Sequence, residues 1–146
     1  MQTNPGPMRP DDVGFLLAKA SQRFNERLVA AFAARGYPEV RGSFGSVLVP
    51  LFHDGDQRIG ELGRSSALSK QAMTALVRDC EAAGLVTRRR DPDDGRAFRI
   101  GLTERGRRFQ SVAAKVRAEL EAELGAALGE RKLQTLIDAL KGVITP

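Results

Sequence analysis

Between Ser69 and Thr103 the hydrophobic period changes from helical to two and back again, and this switch constrains the fold more than any other feature of the chain. Ser69 has the chemistry of an N-cap for a helix that runs to Ala83 and stops at Gly84. Leu85 to Arg90 then reads as a short strand. Asp91-Pro92-Asp93-Asp94-Gly95 is a turn, because proline presets its backbone angle, aspartate accepts from nearby amides and glycine is free. Ala97 to Leu102 is the returning strand, with Phe98, Ile100 and Leu102 on one face. Thr103 caps the next helix. A single small hairpin set between helices predicts a mostly α protein with one β wing.

The flanks are helical. Residues 1–10 read as a flexible arm. Asp11 or Asp12 opens a long amphipathic helix marked by Leu17, Ala20, Phe24, Leu28 and Phe32, ended by Gly36. After the connection 37–42, Ser43 opens a second helix running to about Phe52, with Pro50 placed to kink or end it. His53 to Asp56 is a turn, Arg58 to Ser65 a short helix with Ile59 and Leu62 inward, and Ser66 to Leu68 a tight turn. Beyond Thr103, Phe109, Val112, Val116, Leu120, Leu124 and Leu128 form one helical stripe. Gly129 breaks it, and a last helix carries Leu133, Leu136, Ile137 and Leu140.

The charge is clustered. The 146 residues carry a net +5. From Arg58 to Arg108 there are 12 Lys/Arg against 7 Asp/Glu, and outside that window the counts are 11 and 11. All of the excess therefore lies in one third of the chain. Of the basic residues 18 are Arg and 5 Lys, which suits bidentate contacts to phosphate and guanine, although a GC-rich genome also favours arginine.

Two short helices, a tight turn and a hairpin, in that order, describe a winged helix-turn-helix. On a helical wheel Met73, Leu76, Val77 and Cys80 share one face of the second helix. Lys70, Gln71, Thr74 and Arg78 share another. The first set fits a core, and the second presents groups that read base edges in a major groove. Taken alone, such a face is also what any solvated surface helix shows. In the hairpin, Arg88 and Arg90 alternate with Arg89, and Arg96 follows the turn. A cationic rim of this kind can straddle a phosphate backbone and push an arginine into a minor groove. Asp94, two residues earlier, is placed to orient Arg96 through a charge-assisted hydrogen bond. The plainer reading is a screened surface strand.

Residues 58–108 resemble the core of the MarR family of bacterial transcription regulators. The matching features are Glu61-Leu62 before the turn, the reading-helix opening Leu68-Ser69-Lys70-Gln71, and the exit Glu81, Gly84, Leu85, Val86. The wing string from Arg88 to Ala97 and Leu102-Thr103-x-x-Gly106 complete them. The chain departs from the common pattern at Gly95, where arginine is usual, at Cys80, where leucine is usual, and at Gly63, where alanine is common. The resemblance implies one domain over residues 11–144: a DNA-binding lobe at 43–102 and dimerisation helices at 11–36 and 103–144. It implies a homodimer on a pseudo-palindromic double-stranded DNA operator. It also implies a small-molecule effector in a crevice between the dimerisation helices and the lobe. The expected DNA contacts are Ser69, Lys70, Gln71, Thr74 and Arg78 on the helix, with Arg88, Arg89, Arg90, Asp94 and Arg96 on the wing.

Other features carry less. The apolar runs, such as Leu28 to Ala34 and Val47 to Phe52, are too short for a membrane span, and with no export signal the expected compartment is the cytoplasm. Cys80 sits at a core position and reads as a small buried hydrophobe rather than a redox sensor. His53 lies in a turn without a second histidine or cysteine, so no metal is expected. Asp91, Asp93 and Asp94 lack the closing glutamate of a calcium loop. No catalytic constellation presents itself and no cofactor is implied. Phe44 and Phe52 read as core. Arg23, Arg27 and Arg41 are either attractants for an anionic aromatic effector or solvated helix charges. The competing function is a winged-helix module for protein association without an operator.

Overall fold

The first helix, α1 (Val13–Ala34), follows Asp12 and gives way to Gly36 at φ +96. This computed structural model describes residues 5–145, so residues 1–4 of the expected arm lie outside the described residues. The apolar stripe of α1 deepens along its length: Leu17 and Phe24 are exposed, Leu28 is half-buried and Phe32 is buried. Phe32 meets the edge of Phe109 at 4.8 Å between centroids, and Tyr37 packs on the same ring at 4.9 Å. The connection is therefore part of the core rather than a passive link, with Tyr37 and Val40 both buried.

The second helix differs from expectation at both ends. Gly42–Phe44 forms a 3-10 turn, and α2 (Gly45–Asp54) continues through Pro50 as far as Asp54. Proline removes a backbone donor but leaves its carbonyl, which accepts from Gln57 Nε2 at 3.0 Å. Burial of Val47, Leu48 and Leu51 holds the helix on both sides of the proline. Gly55, at φ +76, ends it.

A third strand extends the expected hairpin. β1 (Gln57–Arg58), β2 (Val86–Arg90) and β3 (Phe98–Leu102) form an antiparallel sheet in the order β1-β3-β2. Arg58 lies opposite Arg99, Arg88 opposite Ile100, and Arg90 opposite Phe98. The common face of Phe98, Ile100 and Leu102 reaches the core only part-way. Ile100 is buried and Leu102 half-buried, while Phe98 is exposed because the hairpin there has run beyond the core's edge.

The helices α3 (Ile59–Arg64) and α4 (Lys70–Ala82) pack on this sheet through Leu62, Met73, Val77 and Cys80. α5 (Glu104–Leu128) leaves the sheet through a tight joint. The Thr103 backbone N–H donates to the Leu85 carbonyl at 3.0 Å, and its hydroxyl donates to the Gly84 carbonyl at 2.6 Å while accepting from Gly106 N–H. A Cβ at position 106 would overlap the Leu85 carbonyl oxygen, so only glycine lets the first turn of α5 close on that strand. Phe109, Val116 and Leu120 are buried along α5, and Leu128 is exposed. α6 (Glu130–Ile144) buries no residue, and Leu136 and Ile137 on its apolar stripe stay exposed. The architecture is a winged helix-turn-helix lobe with long outer helices whose stripes one chain covers only in part.

Candidate nucleic-acid interface

α4 separates its two faces as its sequence predicts. Ser69 accepts from the Ala72 N–H at 3.1 Å, so its hydroxyl oxygen is spent as an N-cap. Met73, Leu76, Val77 and Cys80 are buried. Lys70, Gln71 and Arg78 are exposed, and among the described residues none of their side chains has a hydrogen-bond or ion-pair partner. Thr74 is half-buried and its hydroxyl donates to the Lys70 carbonyl at 2.9 Å. Of its two functions only the acceptor remains for a ligand.

The wing differs from an open cationic rim. Arg88 Nε pairs with Glu81 at 2.9 Å, turning the side chain toward α4. Arg89 bridges Asp56 at 3.0 Å and the Leu102 carbonyl. Among the described residues Arg90 reaches only the Gly95 carbonyl, at 3.5 Å, and Arg96 is exposed with no side-chain partner. The expected role of Asp94 needs correcting. Its Oδ1 accepts from the backbone N–H of Arg96 at 3.0 Å, not from the guanidinium, so it shapes the turn and leaves the Arg96 charge unheld. Two-residue spacing favours this local contact because the amide is nearer than the end of a long side chain.

The residue that secures the wing was read from sequence only as part of the turn. Asp91 is 2% exposed. Its carboxylate accepts from Arg58 Nε at 2.7 Å, Arg99 Nε at 3.2 Å and the Asp93 backbone N–H at 2.9 Å. The Asp93 amide first, then the two guanidiniums, bring its pKa down to about 2 against the opposing effect of burial. Arg58 is also the N-cap residue of α3, so one buried charge joins all three strands and the start of the helix-turn-helix. The sequence offers the arginines Arg58 and Arg99, but nothing local connects Arg58 to Asp91, 33 residues away. Arg64, in the last turn of α3, is a further exposed cation without a partner among the described residues.

Cys80 is fully buried, and burial pushes its thiol up to about 12. Of the three cations considered for an effector, Arg27 pairs with Glu123 and Arg41 pairs with Asp79 at 2.5 Å. Among the described residues no group of His, Cys, Asp and Glu is arranged to hold a metal, and no helix is long and apolar enough to cross a membrane.

The arrangement of helix, turn, helix and wing matches a known family model. Residues 52–97 fit the MarR family, which spans α3, α4 and the wing up to its tip. The helix-turn-helix and wing at residues 52–97 are of the MarR type. The uncharacterized HTH-type transcriptional regulator YdgJ of Bacillus subtilis is 28% identical over 94 residues, 64% of this chain and 57% of that protein. The chain thus matches little more than half of that relative's length. Among solved structures, a probable transcriptional regulator from Pseudomonas aeruginosa is 27% identical, with a TM-score of 0.79 over 92% of this chain and 98% of that one. The transcriptional repressor CouR, solved bound to a 23-mer DNA duplex, is 23% identical, with a TM-score of 0.80 over 96% of this chain and 100% of that one. The MarR-like motifs acquire physical roles here. Leu-Thr-x-x-Gly is the joint between wing and α5, and the first aspartate of the wing string is the buried anchor of the sheet.

Proposed function

We propose that the chain is a double-stranded DNA-binding transcription regulator, a repressor that meets a pseudo-palindromic operator as a homodimer and whose affinity responds to a small ligand. One observation carries this reading: α4 buries one face completely and holds Lys70, Gln71 and Arg78 outward without partners. Donors left unspent on a helix packed by its opposite face are available to base edges. Arg96 and Arg64 supply nearby exposed charge for phosphates or a minor groove. CouR, of like fold, was solved on duplex DNA, which agrees with this reading.

The homodimer is supported by apolar surface. Phe15, Leu16 and Leu17 on α1, with Leu136, Ile137 and Ile144 on α6, are all exposed in the single chain. Exposed stripes on two long helices are the expected seam of an interlocked pair. The dimerisation helices are then 11–36 and 103–144, with 43–102 as the DNA-facing lobe, and half-sites fall about one helical turn apart, ~10 bp. Such a regulator acts in the cytoplasm and is not an enzyme.

The test is fluorescence anisotropy at one stated salt concentration, with the chain's own upstream intergenic DNA against a scrambled duplex and Arg96→Ala as control. Preference for the native duplex, weakened in the variant, supports a sequence-reading regulator. No binding to either duplex at low salt moves the assignment to a protein-association module.

A further inference from the structure

Behind the C-terminal half of α4, away from both the free polar residues of its first turns and the exposed apolar stripes, lies an open cleft of about 490 Å³. That volume falls within the usual range for small-molecule sites, about 300–1,000 Å³. One wall is the end of α4, with Asp79, Ala82 and Ala83. The opposite wall is the connection leading into α2, with Arg41 and Phe44, and the start of α5 adds Arg105 beside Glu39.

The charges of this cleft alternate in sign and sum to zero: two guanidiniums and two carboxylates. They are not equally occupied. Arg105 is the more heavily held, with Nη1 alone unspent. It lies 4.5 Å from the Tyr37 ring centroid, donates to the Ala83 and Gly36 carbonyls, and pairs with Glu39. Arg41 lies over the Phe44 ring at 5.2 Å and uses only Nη2, on Asp79 Oδ2. Its Nε and Nη1 remain unspent, as does Asp79 Oδ1. An unspent donor set and an unspent carboxylate oxygen therefore stand side by side on one ion pair, next to the Phe44 ring and two alanines.

A simple anion entering this cleft would meet two carboxylates, and a simple cation two guanidiniums. A molecule carrying both charges on groups attached to one carbon meets neither penalty. We propose that this cleft binds a small dipolar molecule of the α-amino acid class, its carboxylate on Arg41, its ammonium on Asp79 and its side chain against Ala82 and Ala83. The site stands on this geometry. Its consequence for DNA, a tilt of α4 from its C-terminal end, rests on the ligand-responsive reading given above.

The experiment reads binding without DNA, so its failure and the failure of the DNA-binding reading are separable. The full chain, ¹⁵N-labelled, is titrated with glycine, alanine, valine, leucine and phenylalanine. Each ligand that binds is compared with its deaminated acid and its decarboxylated amine. The expected result is saturable amide shifts at Arg41, Asp79, Ala82 and Ala83 with at least one amino acid. Its singly charged analogues, and Arg41→Gln or Asp79→Asn, should each weaken binding roughly tenfold, the loss that follows when one charge-assisted hydrogen bond is removed. No saturable shift with any of the five, an acid that binds as tightly as its amino acid, or shifts confined to α1 and α6 would overturn the proposal.

Discussion

α4 and the wing both bring basic residues to the lobe, but their charges are held differently. Among the described residues Lys70 and Arg78 on α4 have no partner, whereas Arg88 and Arg89 on the wing are held by Glu81 and Asp56. The helix projects its side chains from a backbone that is already satisfied, so its outward face needs nothing from its neighbours. The wing has few apolar contacts beyond Ile100, and arginines recruited into ion pairs tie it to β1 and α4. A count of cations therefore overstates the charge the wing can offer to a phosphate.

The most severe way to break this comparison is to cut the joint that both regions share. Gly106→Ala forces a Cβ onto the Leu85 carbonyl at the root of the wing, and urea denaturation should show a loss of about 3 kcal/mol, as expected when a tight contact is overfilled. Gln71→Ala and Lys70→Ala act on α4 alone. Each should reduce the preference for operator over random DNA by ~1–3 kcal/mol in competition anisotropy while leaving the fold intact. An unchanged binding ratio would remove the base-reading assignment of that residue.

The wing gives a finer test. Arg96→Ala removes a free charge, so the slope of log affinity against log salt should fall by about 1 if Arg96 meets a phosphate. Arg88→Ala removes a charge already matched by Glu81 and should change that slope less. Equal effects would mean that the ion pairs open on DNA and that helix and wing do not differ as described. Asp91 supplies a pH signature. Its pKa falls on folding from an ordinary 3.8 to about 2, so its stabilising contribution is complete above about pH 4 and disappears as pH drops through 2. Thermal unfolding followed across that window should be less acid-sensitive in Asp91→Asn, from a lower starting stability. The smallest effect concerns Cys80: with its thiol at about 12 and no exposed surface, it should stay unmodified by thiol reagents at pH 8 until the protein unfolds.

Much of the fold was legible from the chain. The stripes of α1 and α5, the caps at Ser69 and Thr103, and the stops at Gly84 and Gly129 are local signals, each written within a turn or two of the backbone it controls. The inward and outward faces of α4 follow from helical geometry alone. The continuation of α2 past Phe52 to Asp54, unbroken by Pro50, was not legible, because burial of Val47, Leu48 and Leu51 outweighs a local preference. Strand β1 was missed for a similar reason: two residues have no period to read, and only their pairing with β3 makes them a strand.

The sequence by itself determined the order of the long helices and the hairpin and the face of α4 that must be buried. These depend on spacing and backbone conformation, which are properties of neighbouring residues. Tertiary structure alone decided which arginines are free, that Asp91 is the buried anchor of the sheet, and that a charge-alternating cleft forms behind α4. Those outcomes depend on which carboxylate lies within reach of which guanidinium. Arg58 and Asp91, or Arg41 and Asp79, meet only after the chain has folded between them.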